Sequence, residues 1–407
     1  MRTLGIATAT VLAGIALGGG AYAQQVTLQN APQERETDAS ASVNVLYDSN
    51  IARSDRETAA LRHLSLADEL FSPTVNFDVA RQLGREVFFL QGNAGYVFHR
   101  SDTILDRQNV NIDGGVTTRI LRCQELVTGS FTSAQSDLAE QSLLVVKNTL
   151  DTSSVGASAD CGRAIGFAPT GSISETWRTN SARQLAALDS NTLSASGGLA
   201  YRQPTFGSIS LTGSYSKADY PHNIFVDLGG LHNYGYSLYS AGVSYDRHLG
   251  GRLEGVASVS YTKLQPVISG SAGFSGLTYS LDAIYRVNTR LNLTATATRA
   301  AQPSNRIDSN YSIDQNYTLE ATYLLGTRLS LSLIGLHSSQ NYNTVILLPG
   351  FFDLTRSTTD SVFLTATYTM NRRFSFIFNV GDEERSANVP GLSYSSTRTG
   401  ITFKATY

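Results

Sequence analysis

Two kinds of turn alternate along this chain, and the segments between them read with a period of two. One kind is short: 82–86, 121–125, 161–164, 202–207, 247–252, 287–290, 325–328 and 370–373. Several of these place Gly or Asn just before an Arg, as tight hairpin connections do. The other kind is longer, polar and variable, as in Asn180–Asn191, Lys217–Gly235, Ala300–Tyr311, Ser338–Ser357 and Gly381–Gly391. Successive side chains of a strand point to opposite faces, so alternation between such turns predicts a meander of hairpins. Eight short turns and nine long loops give about 18 strands, with 16 as the lower alternative. The short turns recur every ~40 residues, a period that propeller blades also show. Each period here holds two long strands rather than four short ones and carries no blade signature.

The alternation is clearest in the C-terminal half. Leu277, Tyr279, Leu281, Ala283 and Tyr285 face away from Thr278, Ser280, Asp282, Ile284 and Arg286. Tyr317, Leu319, Ala321 and Tyr323 face away from Thr318, Glu320 and Thr322, and Val362, Leu364, Ala366 and Tyr368 from Phe363, Thr365 and Thr367. A soluble sandwich would have to bury this many apolar faces in one core, which the strand count disfavours. Short turns at one end, long loops at the other and one greasy face per strand predict an all-β, transmembrane, antiparallel up-and-down barrel with the short turns in the periplasm. A charge at mid-membrane on the lipid face costs about 2–4 kcal/mol. Glu254, Asp282, Arg286, Glu320 and Lys404 are therefore expected to face a wet lumen.

The two ends of the chain agree with this reading. Residues 399–407 (TGITFKATY) alternate and stop on an aromatic. They resemble the C-terminal strand of bacterial outer-membrane barrels, whose terminal aromatic is read by the barrel-assembly machinery; the resemblance implies that Phe403 and Tyr407 form the assembly signal. At the other end, Arg2 precedes an apolar run from Leu4 to Leu17 and a small-residue site at Ala21-Tyr-Ala23. That is a secretory signal peptide, 1–23, too short for a membrane span. A polar lead-in, 24–40, follows, and the barrel is expected over 41–407 in the outer membrane, among its lipids and lipopolysaccharide. Loss of Arg2, the only charge in the signal, takes the formal charge from -2 to about -3, which leaves no basic field for nucleic acid. Only 16% of residues are charged, and 20 Tyr and 35 Gly suit aromatic girdles and close strand packing.

No catalytic, metal or cofactor motif is present. His337 enters the Ser338–Ser357 loop without an acid placed by spacing, and the run Asp382-Glu383-Glu384 reads as a solvated loop, with a cation or lipopolysaccharide bridge as the alternative. Cys123 and Cys161 flank consecutive short turns on the periplasmic side; a disulfide and two free thiols are both compatible with the spacing. Two long loops are apolar and aromatic, His222–Tyr239 and Thr344–Leu354, and make Phe225, Tyr234, Tyr236, Phe351 and Phe352 candidates for a constriction or a sugar-stacking platform. Tyr47-Asp-Ser-Asn50 in the opening strand, followed by hairpins with Arg-bearing short turns, resembles the outer-membrane β-barrel porin family associated with exopolysaccharide operons. The resemblance spans residues 40–407 and implies a pore serving polysaccharide, with no catalytic residues. The expectation is a passive, weakly selective channel for export or uptake of oligosaccharide; the alternative is a non-transporting barrel, either a rim enzyme or an adhesin. Solute, direction and oligomeric state are open at this point.

Overall fold

A computed structural model describes residues 36–407 apart from 137, 139–146, 163–164, 228–229, 250, 268–272, 304–308 and 345–353. The expected signal peptide, 1–23, and most of the expected lead-in, 24–40, lie outside these residues. Eighteen strands form one closed antiparallel sheet in which each strand pairs with its sequence neighbours and β1 pairs with β18. In order they are β1 (Glu36–Asp48), β2 (Asp68–Leu83), β3 (Glu86–His99), β4 (Arg107–Ile120), β5 (Cys123–Gln135) and β6 (Thr149–Asp160). There follow β7 (Gly166–Asn180), β8 (Ser190–Gln203), β9 (Gly207–Asp227), β10 (Gly230–Leu249), β11 (Leu253–Pro266) and β12 (Phe274–Arg286). The last six are β13 (Leu291–Pro303), β14 (Ser309–Leu325), β15 (Leu329–Thr344), β16 (Arg356–Thr369), β17 (Phe374–Ala387) and β18 (Tyr394–Thr406). Closure removes the exposed sheet edges that an open sheet would present to lipid, where unpaired backbone groups have no water to meet.

The first and last strands meet at one rim: Ser40 pairs with Thr406, and the Tyr407 N–H donates to the Ala39 carbonyl at 2.8 Å. Because strands alternate in direction, all eight short connections lie at that rim and all the longer ones at the other, as the turn pattern predicts. At the short rim Gly326 adopts φ 79°, a left-handed conformation that costs a Cβ-bearing residue, and Leu121 takes φ 57° in the β4–β5 turn. At this rim too, Cys123 and Cys161 are joined, with Cα atoms 3.9 Å apart, across the start of β5 and the residue after β6.

The outward face is apolar. Val45, Tyr47, Phe71, Val75, Leu90, Val127, Leu211, Val259, Leu319, Leu333 and Val362 are all large, apolar and exposed. Tyr279 and Tyr285 on β12, and Tyr317 and Tyr323 on β14, sit six positions apart on this face, about 20 Å along a strand. Two such aromatic rows, with aliphatic residues between them, match the girdled apolar band of a membrane barrel.

Strands outrun the sequence reading at the long-loop end. Lys217–Gly235 is not a loop: the β9–β10 ladder continues to Asp227 and Gly230, with an irregularity at Asn233/Tyr234. Gly381–Gly391 is mostly β17, whose pairing with β16 persists to Ala387. Beyond the hydrocarbon layer a hairpin needs no apolar face to keep its backbone paired, so polar composition hides the strand. The opening strand, expected to hold Tyr47–Asn50, stops at Asp48, and a six-residue helix α1 (Arg56–Leu61) follows, capped by Asp55 Oδ1 accepting from Thr58 N–H at 2.8 Å.

Candidate pore lining and mouth

The strand parity that sends the apolar set outward brings a polar set inward. Glu254, Asp282, Arg286, Glu320 and Lys404 all fall on the inward side of their strands, opposite exposed Val259, Leu281, Leu319 and Phe403. Arg286 and Glu254 form a two-pronged ion pair across β11 and β12, its Nη2–Oε2 arm 3.0 Å long. Glu320 accepts from Ser332 Oγ at 2.7 Å and Thr322 Oγ1 at 3.0 Å. Asp282 is placed between Val256 and Thr296, and Lys404 between Ser42 and Ser375.

Two walls of the interior differ in chemistry. Over β5–β12 the inward side chains midway along the strands are mostly small and hydroxylated, with charges such as Asp160, Arg202, Glu254, Asp282 and Arg286 toward the short-turn rim, and neighbouring strands bond through the hydroxyls. Ser130–Ser154 (2.6 Å), Ser172–Ser196 (2.7 Å), Ser194–Ser216 (2.9 Å), Ser258–Ser280 (2.6 Å) and Thr262–Thr278 (2.7 Å) are such pairs. A hydroxyl both donates and accepts, so each keeps capacity for a further partner in the lumen. The wall across the barrel, β17, β18 and β1, carries charge instead. Arg398 on β18 donates from Nη2 to Glu383 Oε1 of β17 at 2.7 Å and lies 3.3 Å from Asp48 Oδ2 of β1. Ser396 donates to Asp48 Oδ1 at 2.6 Å and Tyr394 to Glu383 Oε1 at 2.9 Å. Side chains of Asp48, Glu383 and Arg398 are 1%, 4% and 3% exposed, so this is a buried network and not a solvated face.

The reason for that burial is the segment between β1 and β2. It folds inward against β1, β17 and β18 and places Arg53 on the network. Arg53 pairs with Asp48, donates to the Asn50 carbonyl at 2.7 Å, and stacks 5.7 Å from the Tyr394 ring centroid. Burial by itself would lower the Arg53 guanidinium; Asp48, Tyr394 and Glu383 together outweigh this and hold it above its ordinary value. Arg62 reaches back to the Ala52 carbonyl at 3.1 Å. The segment's apolar side, Ile51, Ala52, Ala59 and Leu64, packs on Leu105 and Leu138 of the next two long-rim connections. The Asp55 N–H donates to the Gly391 carbonyl at 3.3 Å, which ties the segment to the last connection as well.

The expected constriction residues divide. Tyr234 and Tyr236 are buried with Tyr220, Leu264 and Tyr311 in one cluster at the long-loop end, where β9, β10, β11 and β14 meet. They stand on a hairpin, not a free loop. The Phe225 side chain, Phe351 and Phe352 lie outside the described residues. Leu354, from the other aromatic stretch, packs with Tyr342, Val389 and Leu392. The acidic run also divides by parity: Glu383 joins the buried network, while Asp382 faces outward and accepts from Thr397 Oγ1 at 2.7 Å. It is a strand segment, which corrects the solvated-loop reading. His337 faces outward with Asp360 of β16, Nδ1–Oδ1 2.7 Å, both exposed; among the described residues no hydroxyl is hydrogen-bonded to this pair.

Sequence reasoning separated the polar from the apolar face of the C-terminal strands but missed the 49–66 segment and the network it completes. Asp48, Arg53, Glu383 and Arg398 are spread over 350 residues, and only strand register and barrel closure bring them together.

No protein-family model matches the chain, and no curated protein does. Among solved structures it is similar to OccK2 (OpdF) of Pseudomonas aeruginosa, with 10% identity over 91% of this chain and 98% of that one at a TM-score of 0.49. It is also similar to a BenF-like porin from Pseudomonas fluorescens Pf-5, with 11% identity over 91% and 99% at a TM-score of 0.48. The siderophore receptor PirA from Acinetobacter baumannii shows 9% identity over 92% and 81% at a TM-score of 0.46.

Proposed function

We propose that this chain is a passive channel of the outer membrane, and that small neutral hydroxylated solutes, oligosaccharides above all, are the class it passes. The observation that carries this is the inward hydroxyl wall of β5–β12 inside a closed barrel with an apolar outer belt. Barrels of 16–18 strands leave an aqueous lumen unless loops or a plug close it. Serine and threonine rows exchange hydrogen bonds with a glycan without a fixed charge to desolvate. The inward charges are of both signs, and several pair with one another, as Glu254 with Arg286 and Asp48 with Arg53 and Arg398, which argues for weak ion selectivity. The constriction is assigned to the inward 49–66 segment together with the Tyr220, Tyr234 and Tyr236 cluster, instead of to two free aromatic loops. The barrel-assembly machinery and outer-membrane lipid are its partners in this reading, and polysaccharide export is one physiological setting for it.

Single-channel recording in planar bilayers tests the proposal. Replacing residues 52–62 with a short Gly-Ser bridge is expected to raise conductance and weaken current block by maltooligosaccharide. Absence of conductance in both proteins would end the channel reading and favour the adhesin or rim enzyme. Unchanged conductance in the variant would take the segment out of the pore.

A further inference from the structure

One part of the outer wall does not look like the rest. Across β7 to β10 the outward positions at one level are Gly171, Gly197, Gly213 and Ala241, each paired with the next. One step toward the long-loop rim, Ala195 is paired with Tyr215 and Tyr215 with Tyr239. One step toward the short-turn rim the bulk returns with Leu199, Leu211 and Val243. The result is an open groove of about 660 Å³ on the outward face, lined by Ala195, Gly197, Gly213 and Ala241, with Tyr215, Tyr239 and Tyr261 along its upper edge. The Tyr215 and Tyr239 rings pack at 5.1 Å, and the Tyr261 hydroxyl bonds Ser275 at 2.9 Å, so the edge is held in place.

A cation stands at this edge. Lys263 is exposed, lies on the outward face two residues above Tyr261, and pairs in register with Tyr239. Among the described residues it has no ion-pair partner. Lys217, its neighbour across β10, is already engaged by Asp219 at 3.0 Å, and Glu175 lies on the same side one strand further, beyond Leu193. Lys263 is thus the single uncompensated cation at the groove. Tyrosines mark the level at which hydrocarbon gives way to headgroups, and a lysine level with Tyr215 and Tyr239 extends its ammonium to headgroup phosphate while its stem lies along apolar surface.

We infer that this groove binds a phosphorylated, acylated glycolipid of the outer leaflet, with an acyl chain on the floor of small residues and a phosphate at Lys263. Charge complementarity selects an anionic headgroup over a zwitterionic one. The missing side chains give a chain room that the flanking Leu and Val ridges deny. Tyrosine hydroxyls at the edge face the sugar. This inference is independent of whether the lumen conducts.

Native mass spectrometry of the whole refolded mature barrel, titrated separately with diphosphoryl lipid A and with phosphatidylcholine, tests it. The expected result is retention of one lipid A at concentrations where phosphatidylcholine is lost. Lys263→Gln should weaken lipid A binding about fivefold, the worth of one lysine near an anionic surface. Gly213→Leu with Ala241→Leu should abolish it by filling the floor. Leucine at Ala295 on β13, outside the groove, serves as the folding and binding control. Equal retention of the two lipids, or unchanged lipid A binding in both groove variants, would overturn the inference. A dimer of barrels lost on filling the groove would overturn it in favour of a second copy as the occupant.

Discussion

Arg398 and Arg286 show how the same pairing has different worth by position. Arg286 and Glu254 are 41% and 28% exposed at the side chain, within reach of lumen water near the short-turn rim. Solvent screening holds such a pair to about 0–1 kcal/mol. Asp48 is 1% exposed and receives Arg53, Arg398 and Ser396. Neutralising it leaves two guanidinium groups short of a counter-charge inside the protein, a loss of about 3–5 kcal/mol. Asp48→Asn is therefore expected to lower the urea midpoint of the barrel in lipid vesicles strongly, and Glu254→Gln hardly at all. Equal shifts for the two variants would mean that the network at the mouth is as well solvated as the lumen pair.

At the level of single elements, β18 is the one on which the others depend. It closes the sheet by pairing with β17 on one side and β1 on the other, and Phe403 packs on Phe374 and Phe376 at 5.7 and 5.3 Å. Its loss would leave β17 and β1 with unpaired backbone groups facing lipid, each costing several kcal/mol. Deleting Phe403–Tyr407 removes the part of the strand that pairs with residues 39–43 of β1. The truncated chain is expected to accumulate without the compact, SDS-resistant band that the full barrel gives on an unheated gel. A surviving resistant band would show that closure does not need this end of the strand. The segment after β1 teaches the complementary lesson. It is short of regular structure, yet its burial at the mouth makes it as well anchored as a strand.

For the molecule as a whole, the two rims are opposite in character, and orientation in the membrane follows from which rim holds the short turns. With the short turns in the periplasm, a cysteine replacing Gln184, exposed in the β7–β8 connection, is labelled by a membrane-impermeant maleimide on intact cells. One replacing Thr327, exposed in the β14–β15 turn, is labelled only after the outer membrane is opened. Reversed labelling would invert the barrel and, with it, the assignment of the 49–66 segment to the outer mouth. The difference between the hydroxyl wall and the charged wall is also a property of this scale, since it arises from strands eight or nine places apart in a closed ring.

The sequence by itself determined the architecture. A side-chain period of two is a local property of each strand, and turn length is a local property of each connection, so strand number and strand parity, with Glu254, Asp282, Arg286, Glu320 and Lys404 on the face opposite the exposed apolar set, were legible residue by residue. Loop boundaries were less so at 217–235 and 381–391, because above the lipid a paired strand and a loop share the same polar composition. What only the tertiary structure decided was the mouth. Asp48 meets Arg398 because β1 pairs with β18, and Glu383 meets Arg398 because β17 pairs with it in one particular register. Arg53 joins them only because the chain after β1 turns inward, where burying Ile51, Ala59 and Leu64 repays the ordering of a segment that no periodicity announces.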